Sequence, residues 1–556
     1  MRKNAILFIA ASFAVHILFF NTTIAFGQGK AQAFEISKNL DIYATLFKEL
    51  NNNYVDEINP GELNTIALEA MLESLDPYTI YIPESKVEEV RFMTTGEYGG
   101  IGLSVVKREG KVFISMMLDK SPALEAGLLV GDEIISVDDQ LLSERSDAEI
   151  SMLLKGQPGT SINILVKRQG VEETFTLEVF RRKINVESIP YYGMLDTTIA
   201  YINLNAFTKK AARDVSISLQ ELKKNNPEAL IFDLRGNGGG LLGEAVNIMN
   251  LFIAKDVEVV RTKSRLRDKN YIYKTRKMPL DTLIPIVFLV DRNSASASEI
   301  LCGAAQDLDR AVIMGERTFG KGLVQNVIPL SFNAQMKVTI AKYYIPSGRC
   351  VQAIDYEHKD ENGNAILVND SLLEAFKTKN GRTVYDGRGI KPDVVLKPFK
   401  FSELSETLME RYIIFDFSTH YRLTHDSIPT PDKFEVTDEI WASFLEFISD
   451  KDISYKSDLE KKLKALKMVA EKEGVFDDYR DICAQIQQKI DDKKEGEFTI
   501  YQEEIKRIIK TDIVSRYYFE KGVIIANLYQ DKAIARAIEL LRDNKEYSDI
   551  LQIEKQ

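Results

Sequence analysis

The stretch LVDRNSASASEILCGAAQ, residues 289–306, contains three serines that alternate with alanines and are followed by a glutamate. The apolar run PIVFLV, residues 285–290, is typical of a buried strand, and the small and apolar residues after the serines favour a helix. Glu299 follows Ser296 by three positions, which is the spacing of a capping box at a helix N-terminus. The stretch therefore predicts a strand, a turn and a helix of an α/β domain, with Ser296 as the N-cap.

The same turn also predicts chemistry. A helix N-terminus offers unpaired N–H groups, so a serine placed there can attack a carbonyl carbon while the next amide stabilises the oxyanion. The reaction needs a base, and none of the four histidines lies close to the serines in sequence. Lys321, flanked by Gly320 and Gly322, is the other candidate, provided that burial lowers its pKa enough for it to accept a proton. The motif alone leaves the capping and the catalytic interpretations open.

The segment GERTFGKG, residues 315–322, allows a rival interpretation as a phosphate-binding loop. It fits the first seven positions of that motif, but the eighth should be Ser or Thr to hold magnesium and is Gly322. The next residues, LVQNVIPLSF, read as a strand where a helix is required, so the sequence disfavours nucleotide binding. A second glycine-rich segment, DLRGNGGGLLG (233–243), predicts either a tight turn or a loop of backbone donors facing a reacting carbonyl.

The motifs SASASEI, FGKGLVQ and DLRGNGGG, in this chain order, resemble those of the carboxyl-terminal processing peptidases, also called tail-specific proteases. The resemblance spans roughly residues 36–398 and implies a Ser–Lys endopeptidase without metal or cofactor. It makes Ser296 the nucleophile and Lys321, 25 residues later, the base, with Gln325, four residues further on, orienting the lysine. Ser294 and Ser298 then become structural neighbours, and both family spacings are matched.

The resemblance also implies where the oxyanion is held. It assigns this role to the backbone amides of Ala297 and of a glycine in the GNGGG turn, which we expect to be Gly239. The family commonly has Pro or Ser where this chain has Gly238, so the turn departs from the pattern here.

Residues 93–182 resemble a PDZ domain, with YGGIGLSV matching the carboxylate-binding loop and AGLLVGDEIISVDD the segment that follows. Successive backbone N–H groups can hold a terminal carboxylate, and the peptide tail can then add as a strand along the neighbouring edge. The alternative is a small β domain with a glycine turn and no ligand. The residues expected to bind the tail are Gly99, Gly100, Ile101, Gly102 and Leu103.

The predicted fold class is multidomain α/β. An α/β protease core contains an inserted PDZ domain and is flanked by an N-terminal helical segment and a C-terminal helical extension, with residues 354–386 as a polar insertion. The extension indicates solvated helix faces, or a surface for a homo-oligomer or an adaptor. The expected boundaries are a signal peptide at 1–27, N-terminal helices at 34–92, the PDZ domain at 93–182, the core at 183–398 and the extension at 400–556.

The N-terminus and the composition bound the location and the partners. Arg2 and Lys3, an apolar run over 5–20 and small residues beyond it predict a signal peptide and export to the periplasm or cell envelope. An uncleaved membrane anchor is the alternative. The net charge of −11 disfavours nucleic acid, and three scattered cysteines form neither a disulfide framework nor a zinc pattern.

These patterns lead to one expectation and one rival. The expected function is that of an exported serine endopeptidase, which captures C-terminal tails of proteins or peptides through its PDZ domain and cleaves by acyl-enzyme chemistry. The rival is a non-catalytic PDZ scaffold or chaperone with a degenerate protease core; the intact Ser–Lys–Gln spacing argues against it.

Overall fold

The computed structural model describes residues 32–360 and 364–553, so the predicted signal peptide lies outside the described residues. The described chain divides into two compact units, residues 32–81 and 82–553. Within the described ranges, no helix combines the length and apolar character needed to cross a membrane.

The first unit is helical. It contains a helix over residues 32–53 and a second helix, Pro60–Glu73. The side chain of Asn59 caps the second helix by accepting hydrogen bonds from the amides of Gly61 and Glu62. This is the helix start that the sequence indicates by placing Pro60 at its first position.

A small β domain opens the second unit, after the helix Val87–Thr95. Its first and last strands, Glu97–Gly100 and Arg182–Asn185, pair antiparallel, so the domain enters and leaves the core at one place. Between them lie a mainly antiparallel sheet and two helices, Pro122–Glu125 and Asp147–Leu154. The sheet strands are Leu103–Arg108, Lys111–Met117, Glu133–Val137, Gln140–Leu141, Ser161–Lys167 and Phe175–Phe180.

The core is built on a six-stranded sheet whose first strand is antiparallel and whose other strands are parallel. Along each strand, alternate residues face opposite sides, so Phe232 and Phe288 enter one apolar cluster while Ile231 and Val287 enter another. The helices Ala211–Lys223, Leu242–Met249 and Ala297–Asp307 belong to the first cluster. The strands, in spatial order, are Tyr191–Met194, Ile199–Asn203, Ala229–Asp233, Ile286–Val290, Val312–Gly315 and Val394–Val395.

The other face of this sheet is covered by the end of the chain. The helices Lys532–Arg542 and Asn544–Leu551 pack Ala537, Leu540 and Leu551 against it. Parallel strands that are apolar on both faces need a covering layer on each side. The last part of the C-terminal extension is therefore a layer of the core, a role that the sequence pattern did not reveal.

The remaining strands form smaller sheets. Glu258–Lys263, Ile272–Lys274, Leu323–Pro329 and Gln335–Tyr344 form an antiparallel group. The polar segment 354–386 is not a plain loop, since it contains two hairpins, Ile354–Lys359 with Ala365–Leu367 and Ala375–Lys377 with Thr383–Tyr385.

Helices dominate the chain after residue 400, as expected. They are Glu403–Glu410, Ile413–Thr424, Asp438–Ile448, Asp458–Glu473, Phe476–Glu495, Glu497–Ile500, Gln502–Leu528, Lys532–Arg542 and Asn544–Leu551. With N-terminal helices, an inserted β domain, an α/β core and C-terminal helices, the architecture confirms the predicted fold class.

Candidate active site

The two outer serines of the SASAS turn fasten it to the glycine-rich turn. The Ser294 hydroxyl donates to the carbonyl of Leu234 at 2.8 Å, and the Ser298 hydroxyl donates to the carbonyl of Asn237, also at 2.8 Å. Both serines are fully buried. The two turns meet because they follow neighbouring parallel strands, Ala229–Asp233 and Ile286–Val290, and so leave the same edge of the sheet.

The middle serine, Ser296, has an unusual backbone. Its φ of 55° and ψ of −110° lie outside the regions that side-chain-bearing residues favour. Its amide donates to Glu299 Oε2 at 2.8 Å, and its carbonyl accepts hydrogen bonds from the Ile300 amide and from Tyr343 Oη. A strained conformation held by several contacts is typical of a functional residue.

Glu299 connects Ser296 to the loop that carries Lys321. The carboxylate is completely buried and accepts hydrogen bonds from Ser296 N at 2.8 Å, Thr318 Oγ1 at 2.6 Å, Gly320 N at 2.7 Å and Lys321 N at 2.9 Å. Burial raises the pKa of Glu299, and these four hydrogen bonds oppose the rise. Because the amides of Ser296 and Lys321 donate to the same oxygen, the two candidate catalytic segments are held side by side.

The sequence identified Glu299 only as half of a capping box. Its N-cap spacing was the available signal, and it reveals nothing of the contacts with Thr318, Gly320 and Lys321. The same contacts weigh against the nucleotide interpretation, since the loop directs amides inward to a carboxylate. The chain then continues as the strand Leu323–Pro329, where a phosphate-binding loop would need a helix.

Gly320 allows this loop to lie close to the core. Its φ is 91°, and a Cβ at this position would lie 2.5 Å from the Cβ of Ala353. A side chain is therefore excluded both by the backbone conformation and by the space.

Gln325, predicted to orient the lysine, lies on the strand Leu323–Pro329 at an irregularity of the ladder. Its side-chain amide donates to Thr339 Oγ1 at 3.2 Å on the neighbouring strand. Thr339 is a partner that sequence reasoning missed, because the pairing depends on strand register rather than on a local motif.

The two predicted oxyanion donors lie beside Ser296. Ala297 begins the helix, and a Cβ on Gly239 would lie 2.9 Å from Ser296 Cβ and 3.0 Å from Ala297 N. Such close packing, at a φ of 101°, requires glycine at 239. In this arrangement the Gly239 amide donates to Asn237 Oδ1 at 2.8 Å.

An ionic network anchors the start of the glycine-rich turn. Arg235 contacts Asp233 at 2.6 Å and Asp531 at 2.7 Å, and Tyr201 Oη donates to Asp233 at 2.9 Å. Asp531 also caps the helix Lys532–Arg542. The turn is therefore joined to the C-terminal layer of the core, through a partner that lies 296 residues from Arg235 in sequence.

The expected tail-binding residues divide into two groups. Gly99 and Gly100 lie in the strand that pairs with Arg182–Asn185, whereas Ile101 and Gly102 form the turn into the next strand, which begins at Leu103. These last three residues line a groove of about 710 Å³, together with Ser151 and Leu154 of the helix Asp147–Leu154 and other residues.

Comparison with known families assigns three segments. Residues 99–179 match the PDZ domain, residues 198–358 match peptidase family S41, and residues 404–541 match a family described as the C-terminal helical domain of a probable PDZ-protease. The third match covers much of the extension, which the motifs had not explained.

Similar proteins are processing proteases. A carboxy-terminal-processing protease of Bartonella bacilliformis is 33% identical over 344 residues, covering 61% of this chain and 77% of the relative. Processing protease CtpB of Bacillus subtilis is 29% identical over 320 residues, covering 57% and 66%. The solved photosystem II D1 C-terminal processing protease is 25% identical, with a TM-score of 0.36, covering 64% and 92%. The protein thus belongs to the carboxy-terminal processing protease family and is a serine peptidase with a PDZ domain.

Proposed function

We propose that this peptidase is exported, binds the C-terminal tails of protein substrates through its PDZ domain and cleaves them by a Ser–Lys acyl-enzyme mechanism. The observation that carries the proposal is the shared acceptor at Glu299. Its Oε2 receives the amides of Ser296 and Lys321, which are 25 residues apart in sequence. Hydrogen bonds at 2.8 and 2.9 Å to one fully buried oxygen fix the nucleophile turn against the lysine loop.

In the proposed reaction, Ser296 Oγ attacks the scissile carbonyl carbon while neutral Lys321 Nζ takes the hydroxyl proton. Collapse of the tetrahedral intermediate breaks the C–N bond, and Lys321 passes the proton to the departing amine. Water then attacks the acyl-enzyme, with Lys321 again as the base, and the serine hydroxyl is restored. Gln325 positions the lysine.

Two amides supply the proposed oxyanion hole. Ala297 stands at the first position of its helix, where amides have no intrahelical acceptor. Gly239 lies against Ser296, but its amide donates to Asn237 Oδ1. To stabilise the oxyanion, the Gly239 amide must turn away from Asn237 Oδ1 and donate to the substrate oxygen. The neighbouring Gly238 is exposed and has open space around it, so the turn has room for this change.

The nucleophile assignment is tested by replacing each serine of the turn in the full chain. Ser296→Ala should abolish hydrolysis of a tail peptide, because losing a serine nucleophile costs on the order of 10⁶ in rate. Ser294→Ala and Ser298→Ala are matched controls that remove hydrogen bonds to the glycine-rich turn and should keep measurable turnover. Full turnover by Ser296→Ala would overturn the assignment.

The base assignment is tested at Lys321. Arginine keeps a charge that cannot be removed at ordinary pH, so Lys321→Arg should be as inactive as Lys321→Ala. The rate of the parent enzyme should rise with pH as the lysine loses its proton. Substantial turnover by the arginine variant would show that another group is the base.

Tail recognition is tested with two peptides that differ only at the C-terminus. A free carboxylate can accept charge-assisted hydrogen bonds from the amides of Ile101, Gly102 and Leu103, which line the groove. An amidated terminus has no negative charge and accepts weaker hydrogen bonds. We expect the amidated peptide to be bound more weakly or cut more slowly. Equal cleavage of both peptides would contradict recognition of the terminus.

A further inference from the structure

The proposed tail groove has a wall that does not belong to the PDZ domain. The helix Gln502–Leu528 contributes four residues to the lining of the 710 Å³ groove that Ile101, Gly102 and Leu103 also line. The PDZ side is formed by the carboxylate turn, the strand after it and the helix Asp147–Leu154. The four residues from the C-terminal helix are Ser515, Phe519, Glu520 and Val523.

Phe519 breaks the helix at this point. Its φ of 55° and ψ of −154° are non-helical, although the residues on either side are helical. This region of the backbone map is strained for every residue except glycine. A bulky aromatic residue persists there only when its surroundings hold it, so the contacts of the Phe519 ring must compensate for the backbone conformation.

Those contacts are with the PDZ domain. The half-buried Phe519 side chain packs against the apolar core of that domain, which includes Ile101, Ile150 and Leu154. A peptide that adds beside the carboxylate turn places its last side chain into an apolar pocket between the strand and the helix of the PDZ domain. Phe519 thus presents an aromatic group to the surface that an apolar tail residue would use.

The helical region is also fastened to the PDZ domain outside the groove. Arg108 forms an ion pair with Asp416 at 2.7 Å and lies 5.2 Å from the ring centroid of Tyr412, and both partners belong to the helical region. Phe415, next to Asp416, packs against the PDZ core as well. Phe519 is therefore held near the groove by a second contact that a tail peptide would not need to displace.

The residue after Phe519 reaches the protease core. The Glu520 carboxylate accepts a hydrogen bond from Asn205 Nδ2 at 2.6 Å. Phe207 follows Asn205 by two residues, and its amide donates to the carbonyl of Gly239, the glycine beside Ser296. One kink in one helix thus contacts both the tail groove and the strand end that supports the candidate oxyanion turn.

We propose that Phe519 acts as an internal ligand, which occupies the apolar part of the PDZ groove until the substrate tail displaces it. This inference rests on the proposed function, since it assumes that the groove receives tails. The partner that displaces Phe519 is a peptide with a free C-terminal carboxylate and an apolar last side chain. The C-terminal helical region is then a gate on substrate capture, in addition to a layer of the core.

The test is a binding measurement on the full chain, with Ser296→Ala as the parent so that the peptide is not cut. The probe is a fluorescent peptide that ends in valine with a free carboxylate. Phe519→Gly removes the ring and leaves a residue that tolerates the kinked backbone. We expect it to bind the probe at least about fivefold more tightly than the parent, because an internal competitor reduces the apparent affinity in proportion to the fraction of molecules in which the groove is free.

The control variant is Tyr529→Ala, which removes an exposed aromatic side chain from the end of the same helix. It should bind the probe as the parent does. Equal or weaker binding by Phe519→Gly would overturn the inference, because Phe519 would then be a passive wall or a contact for the tail. No binding by any of the three proteins would instead overturn tail recognition itself, and the internal-ligand inference with it.

Hydrogen exchange of the parent provides a second measurement that needs no substitution at Phe519. Saturating free-carboxylate peptide should speed exchange of the amides of residues 515–523, because the kink loses the contacts that hold it. The amidated peptide should leave them unchanged. Unchanged or slower exchange with the free-carboxylate peptide would overturn the displacement of Phe519.

Discussion

In the described part of the chain, three helices begin with a Ser-x-x-Glu capping box, and two of these motifs have very different surroundings. Ser146 and Glu149 start a helix of the PDZ domain, and Ser296 and Glu299 start the helix beside the candidate active site. In both, the serine amide donates to the glutamate Oε2 at 2.8 Å. A capping box accounts fully for this shared hydrogen bond.

The rest of the geometry separates the two motifs. Ser146 has the φ of −71° of an ordinary N-cap, and the Glu149 side chain is 45% exposed. Ser296 has a φ of 55°, and Glu299 has no exposed surface. The oxygens of a buried carboxylate need hydrogen-bond donors from the protein, and Glu299 accepts hydrogen bonds from a loop that is distant in sequence. The exposed Glu149 needs no such donors, because its second oxygen can contact Arg145 and water. Burial thus turns a local cap into a connection between the two candidate catalytic segments.

The largest effect that this comparison predicts is that of Glu299→Gln. An amide cannot accept at its nitrogen, so at least one pair of donors among Ser296 N, Lys321 N, Thr318 Oγ1 and Gly320 N loses its acceptor. Buried groups left unsatisfied cost about 1–3 kcal/mol each, so we expect the free energy of unfolding to fall by roughly 2–5 kcal/mol. A shift of the lysine loop by the order of 1 Å should also lower the hydrolysis rate by about 10²-fold.

Glu149→Gln is the matched control for this prediction. It changes the same position of the same motif, but at a solvent-accessible site within the PDZ domain. Urea unfolding and the hydrolysis rate should both remain close to those of the parent. Equal losses in the two variants would mean that Glu299 is only a cap, and that its contacts with the lysine loop contribute nothing.

Only the part of this site that depends on local sequence could be predicted. The strand Ile286–Val290 and the N-cap at Ser296 follow from apolar runs and residue spacing, which act over a few positions. Local chemistry suggested Lys321 as a candidate base, and the resemblance supported that choice and added Gln325. Residue spacing could not reveal the burial of Glu299, since burial depends on how separate segments pack.

The C-terminal extension shows the same limit over longer distances. Asp531 contacts Arg235, Tyr547 hydrogen-bonds to Ile286, and Phe519 packs against the PDZ core. The first two contacts join residues more than 250 positions apart in sequence. Helical periodicity predicts that such segments are amphipathic, but it does not tell which surface they cover.

The second prediction concerns the backbone at the two serines. Glycine adopts the φ and ψ of Ser296 without strain, while strain of this kind costs a side-chain-bearing residue about 1–3 kcal/mol. Ser296→Gly should therefore be inactive but more stable than Ser296→Ala, by about 1 kcal/mol or more. At Ser146, whose backbone is unstrained, glycine should give no stability above that of the parent serine. Urea unfolding of the variants measures both effects, and an inactive Ser296→Gly that is less stable than Ser296→Ala would contradict backbone strain at Ser296.

The smallest predicted effect is a difference in how the two glutamates respond to pH. Hydrogen bonds from Ser146 lower the pKa of Glu149, so its contribution to stability is present above its ordinary pKa of 4.5 and is lost as pH falls through the folded value. Burial raises the pKa of Glu299, so its contribution is present below 4.5 and is lost as pH rises through the folded value.

Each glutamine variant removes one of these titrations, and its stability relative to the parent isolates that titration. As pH rises, the parent should gain stability over Glu149→Gln, while its advantage over Glu299→Gln should shrink. Urea unfolding of the three proteins from well below pH 4.5 to about pH 7 measures both slopes, which are expected to have opposite signs: that of Glu149 below 4.5 and that of Glu299 above it. Slopes of the same sign would show that the hydrogen bonds to Glu299 outweigh the effect of its burial, so that the two capping boxes would differ in their contacts but not in the charge they favour.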